Sequence, residues 1–226
     1  MSRAKRRVGQ LFAIASASLL GPAAQAGIIQ NGSFEDVQIG TPFSSNAADI
    51  PGWTHTGAAG DALLWRAGPQ CCGGTNTALA GDGKQFVTLG GGFGPSGSAA
   101  WSQTITGLLS GQAYTVNFLM AAEGETSTQQ LTVGFTSGSS TASETFTSLA
   151  TNTEFWQNWG PNVYNFVPTA TSATLQFSVL NQPFDVGLDG VSIALADGHT
   201  VPEPTTLGLL GLGVVGVGFV RRKRPR

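Results

Sequence analysis

Few groups in this chain could do acid–base or covalent chemistry, and they are scattered. The two histidines, His55 and His199, have no hydroxyl or thiol nucleophile at a recognisable spacing. Two carboxylates converging from distant segments would suit hydrolysis of a glycosidic bond. Asp49, Asp61, Asp82, Glu123, Glu125 and Asp185 stand in Gly- or Ser-rich stretches, and nothing marks two of them as a pair. Cys71 and Cys72 are adjacent, whereas a catalytic dithiol is usually spaced Cys-x-x-Cys. A zinc site needs about four ligands, and only the two histidines could join the cysteines. The run Gly90–Gly94 is followed by neither the lysine nor the helix of a phosphate loop. No enzyme is expected. For Cys71 and Cys72 the expectation is a vicinal or loop disulfide, with intermolecular pairing or two free thiols as alternatives.

Binding chemistry is better represented. A sugar ring stacks its C–H face on an exposed aromatic, with hydrogen-bonding groups beside it. Among the five tryptophans, Trp53 after Pro51-Gly52 and Trp101 alternating with Ile105 are expected in the core. Trp65, beside the cysteines, and Trp159, three residues after Trp156, are the candidate platforms. Most of the tryptophans are expected to be packing residues.

These residues must be positioned by strands. Glycine is abundant, at 32 residues, and apolar residues come in short bursts between Gly, Ser, Asn and Pro, the pattern of an all-β sandwich. Strands are expected at Ile28–Phe34, Ala62–Arg66, Gly83–Leu89, Ala100–Ile105, Ala113–Ala121, Gln129–Thr136, Phe155–Trp159, Val163–Val167, Ala173–Leu180 and Gly187–Leu195. Alternation sets Tyr114, Val116, Phe118 and Met120 on one face of their strand, and Leu131, Val133 and Phe135 on one face of theirs.

Charge separates the ends from the body. Of eleven Lys and Arg, four lie within residues 1–7 and five within 221–226, leaving Arg66 and Lys84 against all thirteen Asp and Glu. The intervening chain therefore carries −11, although the whole sums to −2. With almost no cations to displace phosphate counterions, nucleic acid is excluded as a partner.

Arg3, Lys5, Arg6 and Arg7 precede an apolar run from Val8 to Leu20 and the small-x-small pattern Ala24-Gln25-Ala26, which reads as a signal peptide over 1–26. At the other end, Pro202-Glu203-Pro204 precedes an uncharged segment over 205–220 and a basic tail over 221–226. As a helix that segment spans about 24 Å against about 30 Å of hydrocarbon, short for a permanent span but suited to a transient stop-transfer signal. The basic cluster would stay cytoplasmic and everything upstream would lie outside. The body is thus 27–196, with 197–204 as a linker.

The tail resembles a PEP-CTERM sorting signal. That resemblance implies processing near Pro202, Glu203 and Pro204 by an exosortase, after signal peptidase, in a Gram-negative bacterium with an exopolysaccharide matrix. The body also carries Asn31-Gly32-Ser33-Phe34-Glu35, Pro51-Gly52-Trp53, Asp82-Gly83-Lys84-Gln85-Phe86-Val87, Gly111–Tyr114 and Leu188-Asp189-Gly190-Val191 in that order. It resembles the galactose-binding-like jelly roll of many carbohydrate-binding modules, although Gly190 stands where those domains commonly carry Asp or Asn. The resemblance implies a structural Ca2+ held by Glu35, Asp189 and the carbonyl of Lys84 or a neighbour, as a staple rather than a catalyst. The expected function is that of an exported surface or matrix protein with a non-catalytic module for carbohydrate. A purely structural matrix protein and a glycan hydrolase are the alternatives.

Overall fold

A computed structural model describes residues 29–44, 50–58, 60–69, 77–90, 97–123, 128–149, 156–182 and 184–196. The expected signal peptide, membrane segment, sorting triplet Pro202-Glu203-Pro204 and cysteine pair Cys71-Cys72 all lie outside them. The described elements are β1 (Phe43–Ser44), β2 (Thr54–Gly57), β3 (Ala62–Arg66), β4 (Gly68–Pro69), β5 (Thr77–Ala78), β6 (Gln85–Leu89), β7 (Gly97–Thr106), β8 (Tyr114–Ala122), β9 (Thr128–Ser137), β10 (Ser140–Leu149), β11 (Gly160–Phe166), β12 (Ser172–Gln182) and β13 (Val186–Leu195).

They form two antiparallel sheets, a β-sandwich. Sheet one runs β1-β3-β6-β13-β8-β11, sheet two β10-β9-β12-β7-β2, and β4 pairs with β5 apart from both. The period of two puts alternate side chains between the sheets. Tyr114, Val116, Phe118, Met120 and Leu188 meet Trp101, Leu131, Val133, Leu175 and Phe177 there. Trp53 closes one end of this core, its ring 5.3 Å from Phe34 and 6.1 Å from Phe177.

The residues from 29 to β1 form no strand, contrary to the expectation for Ile28–Phe34. Asn31 and Phe34 both take positive φ, 50° and 56°, which an extended strand does not allow. Side chains supply the missing ladder. The buried amide of Gln103 pairs with both the N–H (2.8 Å) and the C=O (2.9 Å) of Gln30. Gln85, fully buried, donates to Phe34 O and Val37 O and accepts from Ile39 N. The expected strand Phe155–Trp159 is also absent: Trp156 has φ 45°, and 156–159 run as turn and loop.

Candidate functional site

The expected aromatic platforms lie on the outer face of sheet one, under cover. β3 and β6 are buried on both faces, and so read as continuous apolar runs rather than alternating ones. Leu63, Trp65, Phe86 and Ala121 form the floor of a second core, closed by Ala78, Trp156 and Trp159. Trp65 is 7% exposed, its ring 4.6 Å from Trp156 and 5.0 Å from Phe43, and its N–H is spent on Thr88 Oγ1 at 3.0 Å. The Trp159 ring stands edge-on to Phe86 at 5.3 Å, with its N–H on Leu79 O. Gly187, the second residue of β13, makes room: a Cβ there would lie 2.8 Å from Trp159 and 2.9 Å from Trp156. Trp65 offers no free ring face to a sugar, and Trp159 is half-buried in the same cluster.

Glu35 and Asp189 do converge, on the turn that precedes β6. Glu35 Oε1 accepts from Lys84 N and Gln85 N, and Asp189 Oδ2 accepts from Asp82 N at 2.7 Å. Lys84 therefore turns its N–H toward Glu35. Its carbonyl, the expected metal ligand, points to β4 and accepts from Ala67 N at 2.8 Å. Calcium wants about six to eight oxygens, and the groups facing these carboxylates are N–H donors. Among the described residues no group of three or more His, Cys, Asp or Glu is arranged for a metal. As arranged, Glu35, Lys84 and Asp189 do not fit a calcium ion.

Asp189 is wholly buried, and that burial pushes its carboxyl up to about 7. The N–H bonds from Asp82 and Gly190 pull it down, while the Asp82 carboxylate adds to the rise. Burial also raises the Tyr164 phenol, with Glu144 as the second cause. Of the hydrolase candidates, Glu123 Oε2 accepts from Asp185 N at 2.7 Å, tying the start of β13 to the end of β8. Asp49 and Glu125 lie outside the described residues.

The outer face of sheet two is open. β9, β10 and β12 lie side by side, and their registers build a lattice of small polar side chains. One row is Thr141–Thr136–Thr174, and the next is Ser143–Gly134–Gln176. Gly134 is the only member of this lattice without a side chain, and the gap opens onto a cleft of about 380 Å³ lined by those residues together with Phe135 and Ala142. No titratable side chain lines it. Beyond the gap, Thr132 and Thr145 meet hydroxyl to hydroxyl at 3.0 Å. Hydroxyls and an amide at fixed spacing can both donate and accept, the chemistry that matches a neutral polyol. The sequence held a signal for this site: a glycine inside an alternating strand marks close approach by a ligand or another backbone.

Comparison with known proteins agrees with the two halves of this picture. A PEP-CTERM protein-sorting motif matches residues 200–224. No curated protein sequence matches the chain. Among solved structures, the body is similar to TmCBM61 in complex with beta-1,4-galactotriose, at 16% identity and TM-score 0.50, covering 75% of this chain and 98% of that one. It is also similar to the K2 cleaved adhesin domain of Lys-gingipain, at 13% identity and TM-score 0.51, covering 72% and 97%. The shared property is the fold, a carbohydrate-binding-module-like β-sandwich.

Proposed function

We propose that this is an exported, exosortase-processed protein of the cell surface or extracellular matrix, whose β-sandwich is a non-catalytic module that binds carbohydrate. The sorting motif at 200–224 supports export. The reading of carbohydrate binding rests on one observation, the uncharged hydroxyl- and amide-lined cleft around Gly134. Exopolysaccharide is the partner class, with signal peptidase and exosortase as partners during export. Because among the described residues no aromatic ring is free on this face to stack on a sugar, a single sugar should bind weakly and a polymer crossing several lattice rows should bind better.

Gly134 makes the test clean. A Cβ there would have only Gln176 O within reach, at 3.9 Å, so a larger residue fits without strain. Gly134→Val should leave the fold intact, and a β-branched residue favours the strand by up to about 1 kcal/mol. The same substitution puts an isopropyl group into the middle of the cleft, between Ser143 and Gln176. In affinity electrophoresis against a panel of neutral and acidic polysaccharides, the exported chain should be retarded by at least one gel, and Gly134→Val should lose most of that retardation. Equal retardation of both proteins would remove the cleft from the reading. No retardation by any polysaccharide would favour a structural matrix protein, and release of reducing sugar would favour a hydrolase.

A further inference from the structure

We infer that the two ends of the sandwich are clasped without a metal ion, the Gln85 amide and the N–H groups of Asp82, Lys84 and Gln85 occupying the positions a calcium ion would have to take. The junction joins three distant pieces of chain: the strandless arm after residue 29, the turn before β6, and the middle of β13. An electrophile is needed there, because carbonyl and carboxylate oxygens converge from the arm and from β13. In this chain the electrophiles are hydrogens.

Eight oxygens at the junction have an N–H partner. Phe34 O and Val37 O both point at the Gln85 amide nitrogen, at 2.9 and 2.6 Å. Two carbonyls converging on one nitrogen is an arrangement a cation would otherwise organise. The Gln38 amide nitrogen donates to Glu35 O and Glu35 Oε2, at 2.9 and 3.1 Å. Glu35 Oε1 takes the N–H groups of Lys84 and Gln85. Asp189 Oδ2 takes that of Asp82, and Oδ1 that of Gly190 at 2.8 Å. Gly32 O takes Val191 N at 2.9 Å, which ties the arm directly to β13. A cation entering here would face the positive ends of these dipoles, and displacing the Gln85 bond to Phe34 O would leave a buried donor unpaired.

Neutrality follows the same logic. Gln85 is fully buried and uncharged, so it can satisfy two carbonyls with no ion to desolvate. Carboxylate–amide bonds are charge-assisted and stronger than neutral ones, which suits Glu35 to its place. Gly83, with φ 68°, lets the turn bring its N–H groups close: a Cβ there would lie 2.5 Å from Glu35 Oε1.

The purified exported chain tests this. Its melting temperature should be the same in EDTA and in millimolar calcium, and metal analysis after dialysis against calcium should find no stoichiometric ion. Gln85→Glu cannot donate to Phe34 O and Val37 O, and should melt about 5–15 °C lower in either buffer. A melt that falls in EDTA and recovers with calcium, or one calcium bound per chain, would overturn the inference. So would a Gln85→Glu chain as stable as the native one. If that variant fails to fold, the chelation and metal measurements on the native chain decide the matter.

Discussion

Gly32→Ala should abolish the sandwich or destabilise it by roughly 4 kcal/mol or more. A Cβ built on Gly32 lies 1.9 Å from Val191 O and 3.0 Å from Val191 C, both backbone atoms, and 3.1 Å from Ile29 Cγ2. The same two peptides share the bond from Val191 N to Gly32 O at 2.9 Å. Relieving the overlap means moving the arm away from β13 and breaking that bond. It also lifts Phe34, fully buried against Trp53, out of the core. Overpacking alone costs about 1–3 kcal/mol where side chains can shift, and here the obstacle is main chain. Against a typical total stability of about 5–15 kcal/mol, most of the protein should be lost to unfolding or insolubility. Gly40→Ala is the control: a Cβ there meets nothing within 4 Å, and its effect should stay within about 0.5 kcal/mol. Equal circular-dichroism melts for the two variants would refute the account.

The second large effect is on the pH dependence of stability. Asp189 titrates near 3.8 when ordinary and is held at about 7 in the folded protein, chiefly by burial. The folded state therefore keeps its proton over a range where the unfolded chain has released it. The stabilisation is fully present below about pH 4 and is lost as pH rises through about 7. Over that window the loss amounts to about 4 kcal/mol. Melting temperature should fall between pH 5 and 8 more steeply than the other carboxylates require. Asp189→Asn removes the titration. It also sets an amide N–H2 against Asp82 N or Gly190 N, so this variant should be less stable at pH 5 but should lose less on going to pH 8. Parallel curves for the two proteins would show that Asp189 is not the group responsible.

Much of this fold could be read from side-chain alternation. Tyr114, Val116, Phe118 and Met120 share the inner face of β8, and Leu131, Val133 and Phe135 that of β9, as their spacing requires. β10 escaped because it is Ser- and Thr-rich and exposed along most of its length; only Phe146 packs inward from it. The arm misled for a different reason. Its apolar residues are spaced like a strand, but its backbone bonds go to Gln85 and Gln103, some 46 to 73 residues away. No local pattern records a partner at that distance. The resemblance brought Glu35 and Asp189 together, and both reach the turn before β6, yet which end of the Lys84 residue faces Glu35 is decided by the turn at Gly83. Trp53 and Trp101 are in the core as expected, but the expectation of a platform at Trp65 or Trp159 met a comparable obstacle. An aromatic side chain fits an exposed platform and a covered one equally well, and only the covering loops distinguish them. The cleft was within reach: Gly134 interrupts an alternating strand, and its outward position followed from the inward Val133 and Phe135.

Around β3 and β6, sheet one has apolar cover on both sides, the sandwich core beneath and the tryptophan layer above. Water must cross one layer or the other to reach the backbone of β6, whose five residues are all buried. Deuterium should therefore enter β6 and the adjoining part of β13 last, at rates that report global unfolding, while β10 at the margin of sheet two takes up label early. A body held this way has one rigid slab and one wetter, more yielding surface, and the Gly134 cleft lies on the yielding one.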